Sequence, residues 1–198
     1  MKKKSVTTIV IIVIVVLAIF IWVKNVYNSM VTKDESVTTA WSQVENVYQR
    51  RLDLIPNLVS TVKGYAAHES ETLQAVVDAR AQATQTKIDP SNLTPEEIAK
   101  FQEAQNQLGS SLGRLLMTVE NYPDLKANEN FLALQSQLEG TENRISVERM
   151  KYNEAARDYN TYIRRFPSNL FAGMFGFESK GYFEAQEGAE VAPTVSFE

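Results

Sequence analysis

The chain has 198 residues, 44% of them hydrophobic, with eight glycines, six prolines, one histidine (His68) and no cysteine. That excludes a disulfide framework, a thiolate nucleophile and a cysteine-based metal site, and it is not the composition of a low-complexity chain. Lys2, Lys3, Lys4, Lys24 and Lys33 precede the first acid, Asp34; setting those five aside from the 20 basic residues leaves 15 against 24 acids, a balance near −9 that is poorly suited to nucleic acid.

After a basic N-terminus (1–5), residues 6–23 read VTTIVIIVIVVLAIFIWV without a charge. Eighteen residues at 1.5 Å rise span about 27 Å, near the lower limit for a bilayer core. Val6, Ile9, Ile12, Val16 and Phe20 lie along this run, and Trp22 sits at its far end, where an interfacial aromatic belongs. A cleaved signal peptide fits less well, because the run exceeds the usual apolar region and no A-x-A-like site follows. A retained signal anchor is expected. By the positive-inside rule, Lys2, Lys3 and Lys4 favour a cytoplasmic N-terminus; Lys24 and Lys33 weaken that bias. The expected location is a single-pass position in a cell membrane, with the helical domain outside the cytoplasm.

Residues 24–36 read as a juxtamembrane segment and 37–166 as a bundle of long helices. Val37, Trp41, Val44, Tyr48, Leu52, Ile55, Val59, Val62, Ala66, Leu73 and Val76 recur in steps of mostly three and four. This predicts one helix to about Gln85. KIDPSNLTPEE breaks it, and Thr94, Pro95 and Glu97 predict the next start, with Thr94 as cap and Glu97 completing a capping box. The second helix carries Ile98, Phe101, Leu108, Leu112, Leu115 and Val119, and NYPDLK ends it. The third carries Phe131, Leu134, Leu138, Ile145, Tyr152, Ala156, Tyr159, Ile163 and Phe166, and stops before Pro167. The expected class is all-α: an N-terminal transmembrane helix followed by an antiparallel up-and-down bundle. The first and third helices are long enough to project beyond the second as a stalk.

Residues 167–198 form a Phe/Gly-rich tail. Its phenylalanines either dock on the bundle or form an exposed contact surface, and its last ten or so residues are expected to be flexible.

RRLDLIPNL, residues 50–58, places charges and a proline inside a helical pattern. Buried charges need partners, and an interior proline costs about 3 kcal/mol. Arg50, Arg51 and Asp53 are therefore expected to meet some of Glu142, Arg144, Glu148, Arg149, Arg157, Arg164 and Arg165 on the third helix, in a polar network that also takes in Asn143, and Pro56 to kink or break the first. Tyr152-Asn153 and Tyr159-Asn160 stand seven apart, as members of a polar ladder that fixes register. The alternative is that Arg50 and Arg51 are solvated and Pro56 is tolerated.

No pattern for chemistry emerges. His68-Glu69 lacks the second histidine of a zinc protease, since Thr72 occupies that position, and no phosphate loop or activated serine is present. Gly109 and Gly113 are expected to permit close helix packing. No cofactor or metal is expected.

RRLDLIPNLVSTVKGYAAHE, preceded by AWSQVENVYQ and followed by DARAQA, resembles the LemA family, as does LQSQLEGTENRISVERMKYNEAARDYNTYIRRFPSNLFAGMFGF with YFEA and GAEVAPTVSF after it. The likeness covers roughly residues 25–198. It implies a bacterial single-pass membrane protein with a long-helix bundle and no assigned catalytic activity. Some relatives are linked to magnetosome membrane formation, and others are encoded near membrane-protein quality-control proteases. Two functions follow: a non-enzymatic scaffold that binds another membrane or envelope protein, or a protein that forms homo-oligomers and organises or shapes membrane. The partners expected are the lipid bilayer and an unidentified protein, and no nucleic acid.

Overall fold

The computed structural model describes residues 2–185, with side chains from Val6 onward. The flexibility expected of the last ten residues lies outside that range. Six helices follow in order: α1 (Lys2–Tyr65), α2 (Ser70–Gln85), α3 (Pro95–Val119), α4 (Pro123–Lys126), α5 (Glu129–Arg164) and α6 (Ser168–Phe175).

The apolar segment and the first bundle helix are one element. From Val6 to Trp22 the side chains of α1 are exposed on every face, and the helix is long and apolar enough there to cross a membrane. A helix apolar all round needs either a large protein core or lipid around it. Burial begins at Val26 and Met30, without an intervening loop.

The helix expected to reach Gln85 ends instead at Tyr65. The turn at Ala66–Glu69 reverses the chain, and α2 runs back along α1. The bundle therefore has four long helices, in an up-down-up-down arrangement. Thr94 caps α3, its Oγ1 accepting from the Glu97 amide at 3.3 Å. The carboxylate of Glu97 pairs with Lys100 at 2.8 Å, so only half of the expected box forms. Asn128 caps α5.

Pro56 neither breaks nor ends α1. Its missing amide hydrogen deprives the Leu52 carbonyl of its usual donor. Arg80 of α2 supplies the replacement: its Nε donates to the Leu52 oxygen at 2.9 Å. We predict that Arg80→Ala destabilises the full-length protein in detergent by about 1–3 kcal/mol, and by no more than half of that in a Pro56→Ala background, where the amide is restored. Equal losses in both backgrounds, read from denaturant unfolding, would contradict the assignment.

Two apolar clusters form the core. One gathers Trp41, Tyr48, Phe101, Tyr152 and Phe183 near the apolar segment. The other gathers Ile55, Leu58, Leu108, Leu115 and Phe131 at the far end. α1 and α5 do extend past α2 and α3 toward the apolar segment, but not as a bare stalk: Ala172, Phe171 and Phe177 pack on them there. α6 ends at Gly176, whose φ of +76° lies in the left-handed region that glycine adopts without strain. The Phe177 amide donates to the Ala172 carbonyl at 2.9 Å, and the chain leaves as an extended strap.

Candidate functional site

Between α3 and α5 runs a groove. The strap, residues 177–185, fills the half nearer the apolar segment. Because α5 descends while the strap ascends, residue 180 meets Asn160 and residue 183 meets Asn153.

The strap is held by side-chain amides acting as two-pronged clamps. Asn160 donates to the Lys180 carbonyl and accepts from its amide, both at 2.8 Å. Asn153 does the same for Phe183, at 2.8 and 2.9 Å. Gln102, from α3, does the same for Glu184, at 2.9 and 3.0 Å. Tyr152 donates to the Gly181 carbonyl at 3.1 Å, and the Gly181 amide donates to the Leu93 carbonyl at 2.8 Å. An extended backbone has unpaired donors and acceptors, so these bonds replace a neighbouring strand. Side chains reinforce them. Phe183 is buried against Trp41 and Tyr152, Arg149 lies over its ring, and Lys180 pairs with Asp34 at 2.9 Å. Burial pushes the phenol pKa of Tyr152 and Tyr159 well above the ordinary value, so both remain protonated.

The tyrosine–asparagine repeat thus joins helix to strap rather than helix to helix. Arg51 makes the helix-to-helix link. It is 5% exposed; Nη1 donates to Glu142 at 3.1 Å, Nη2 donates to the Gln105 side-chain oxygen and to its carbonyl at 3.2 Å, and the guanidinium lies over the Tyr48 ring. This polar layer separates the two apolar clusters. Arg50, Asn143 and Arg144 are exposed, and Asp53 accepts from Gln49 one turn away at 2.7 Å.

Beyond the strap the groove stays open as a cleft of about 460 Å³. Leu112, Leu116 and Leu138 give it apolar wall; Arg51 and Gln105, bonded to each other, line it as well, as do Gln135, which donates to Glu139 at 3.0 Å, and Arg149, which donates to the Glu184 carbonyl at 2.8 Å. Gly109 and Gly113 stand one turn apart on its α3 wall. They do not mediate close packing: a Cβ added at either meets nothing within 4 Å. Gly64, Gly140 and Gly173 have open space as well, but they do not line the cleft.

His68 is exposed in the turn after α1, and Ser111 accepts from Arg114 at 3.4 Å. Among the described residues no group of three or more His, Cys, Asp or Glu is placed to hold a metal ion. The filled half of the groove holds the chain's own strap through backbone hydrogen bonds and apolar contact. Gln105 and Gln102 were missed in the sequence, although Gln105 is the one polar member of the stripe Ile98, Phe101, Gln105, Leu108, Leu112.

Comparison with known proteins gives the following. The sequence profile of the LemA family matches residues 40–197. Magnetosome protein MamQ 2 of Paramagnetospirillum magneticum is 30% identical over 175 residues, 80% of this chain. Magnetosome protein MamQ of Magnetospirillum gryphiswaldense is 28% identical over 174 residues, 79% of this chain. The chain spans 64% of the length of each of these relatives. Protein LemA of Metamycoplasma hominis is 26% identical over 160 residues, covering 81% of this chain and 69% of that one.

Proposed function

This chain belongs to the LemA family, and from that premise we propose that it is a non-enzymatic scaffold, anchored in a membrane by a single span, which binds an extended segment of another membrane or envelope protein in the open half of the α3–α5 groove. The apolar first part of α1 and the match to these relatives support membrane localisation. The observation that carries the binding role is the strap. The same groove already holds nine residues of extended chain through amide clamps and one buried phenylalanine, and it continues past them unfilled. Binding an extended segment through its backbone is a recurrent mode of peptide recognition.

Gly109 and Gly113 strengthen this reading. Glycine in a helix interior costs about 1 kcal/mol relative to alanine, and these two give no close packing in return. A bare wall does allow a bound backbone to approach α3. Filling the cleft with Gly109→Leu and Gly113→Leu should therefore leave the melting temperature unchanged or raised. It should also lower, about tenfold or more, recovery from native membranes of a partner photo-cross-linked at Gln135 in the cleft. Undiminished recovery would refute the groove as the site. If the adducts lost in the filled variant prove to be second copies of this chain, the self-associating reading replaces the scaffold one.

A further inference from the structure

α6 is short, and its two sides differ. Ser168 and Ala172 are buried, which fixes one face on the bundle. Two residues along a helix is about 200° around it, so Leu170 and Met174 point away from that face. They are 62% and 65% exposed, and Phe166, four residues before Leu170, is 79% exposed. Leu170 and Met174, one turn apart, thus form a row that cannot turn inward without releasing the buried face, and Phe166 is exposed in the turn just before α6.

The height of this row along α1 is fixed by aromatic contacts. Phe171 meets Trp22 at 5.5 Å and Phe175 meets Tyr27 at 5.0 Å, ring centre to ring centre. α6 therefore runs beside residues 22–27, a stretch of about 7.5 Å of continuous helix directly beyond the apolar segment. Apolar side chains at that level meet the headgroup boundary of a bilayer that α1 crosses, where interfacial apolar groups bury. Lys24, exposed on α1, stands at this level. Its ammonium, on a long flexible stem, can reach lipid phosphates there.

We propose that Phe166, Leu170 and Met174 form a second membrane contact, seated in the interface of the bilayer that α1 crosses, so that the bundle is held against the membrane at two points. This rests on the reading of residues 6–23 as a span.

The absence of native cysteine makes single-site labelling direct. Ile12→Cys, Leu170→Cys, Met174→Cys and Val147→Cys variants of the full-length protein would each carry one environment-sensitive fluorophore. The proteins would be reconstituted in phosphatidylcholine–phosphatidylglycerol vesicles, with and without brominated acyl chains. Val147 is exposed on α5 far from α6 and reports water. The proposal expects bromine quenching at positions 12, 170 and 174 and none at 147. Quenching at 12 alone would overturn the second contact and leave the span intact. Loss of quenching at 12, 170 and 174 together would overturn both. Labels at 170 and 174 that are shielded from bromine and from an aqueous quencher alike would assign the row to protein, and so against lipid.

Discussion

Gly181→Ala is expected to detach the strap and to lower the stability of the full-length protein in detergent by about 2–4 kcal/mol. Gly181 is buried where the strap passes the start of α3. A Cβ there would lie 2.7 Å from the Pro95 Cα, 2.9 Å from the Pro95 nitrogen and 2.9 Å from the Thr94 carbonyl oxygen. All three are backbone atoms at a capped helix start, which cannot yield as a flexible side chain does. The strap must move outward, and moving it stretches the clamps at Lys180 and Phe183 and withdraws Phe183 from Trp41. Hydrogen exchange would show the loss directly: protection of the Lys180, Phe183 and Glu184 amides should collapse while that of α1 persists. Asn153→Ala and Asn160→Ala, each removing one clamp, should cost about 1–3 kcal/mol apiece. Wild-type amide protection in Gly181→Ala would mean the strap is not seated as described.

The second large effect concerns the polar layer. Gln105→Leu is expected to cost about 2–4 kcal/mol, because it leaves the buried Arg51 guanidinium short of its side-chain acceptor. Arg51→Lys should also be costly, since an ammonium cannot reproduce the forked contact with Gln105 and Glu142. Glu142→Gln should cost under about 1 kcal/mol, because that side chain is 59% exposed and already solvated. The decisive comparison is Arg51→Met with Gln105→Leu. Removing both polar partners together should be less damaging than the sum of the two single changes. Additive losses would refute the layer as a coupled unit.

Much of this architecture was legible because periodicity reports burial. The steps of three and four from Val37 to Val76, and those on α3 and α5 as far as Ile163, sit on faces that are buried, whereas Phe166, read as the last of the third stripe, lies in the turn after α5 and is exposed. The start of α3 was legible in Thr94 and Pro95, because a cap is a local arrangement. The reversal at Ala66–Glu69 was not. The apolar stripe continues through it to Leu73 and Val76, and the turn contains neither proline nor a glycine at its centre. Pro56 drew attention to the wrong place. A proline is tolerated when another helix supplies the missing donor, and Arg80, 24 residues away in sequence, gave no sign that it would.

For the groove the division is similar. The repeat of Asn153 and Asn160 at heptad spacing was visible, and it marked residues that do act together. Its partner was not visible, because the strap contributes mainly backbone atoms, which every residue carries. Arg51 was recognisable as a charge in an apolar pattern. Asp53, three positions from Arg50 and two from Arg51 in the same stretch, points instead to Gln49 on its own helix.

The central claim is that the open half of the α3–α5 groove receives a segment of another protein. Its most direct test is a photo-cross-linker placed at Gln135, which lines the cleft, and at Val77, which is exposed on α2 and lines no part of it. The full-length protein would be irradiated in its native membrane and the adducts sequenced. A heterologous extended peptide joined to position 135, absent from position 77 and lost on filling the cleft through Gly109 and Gly113, is the predicted result. Equal adduct patterns from both positions, or none from 135 in a membrane where the protein is abundant, would contradict it.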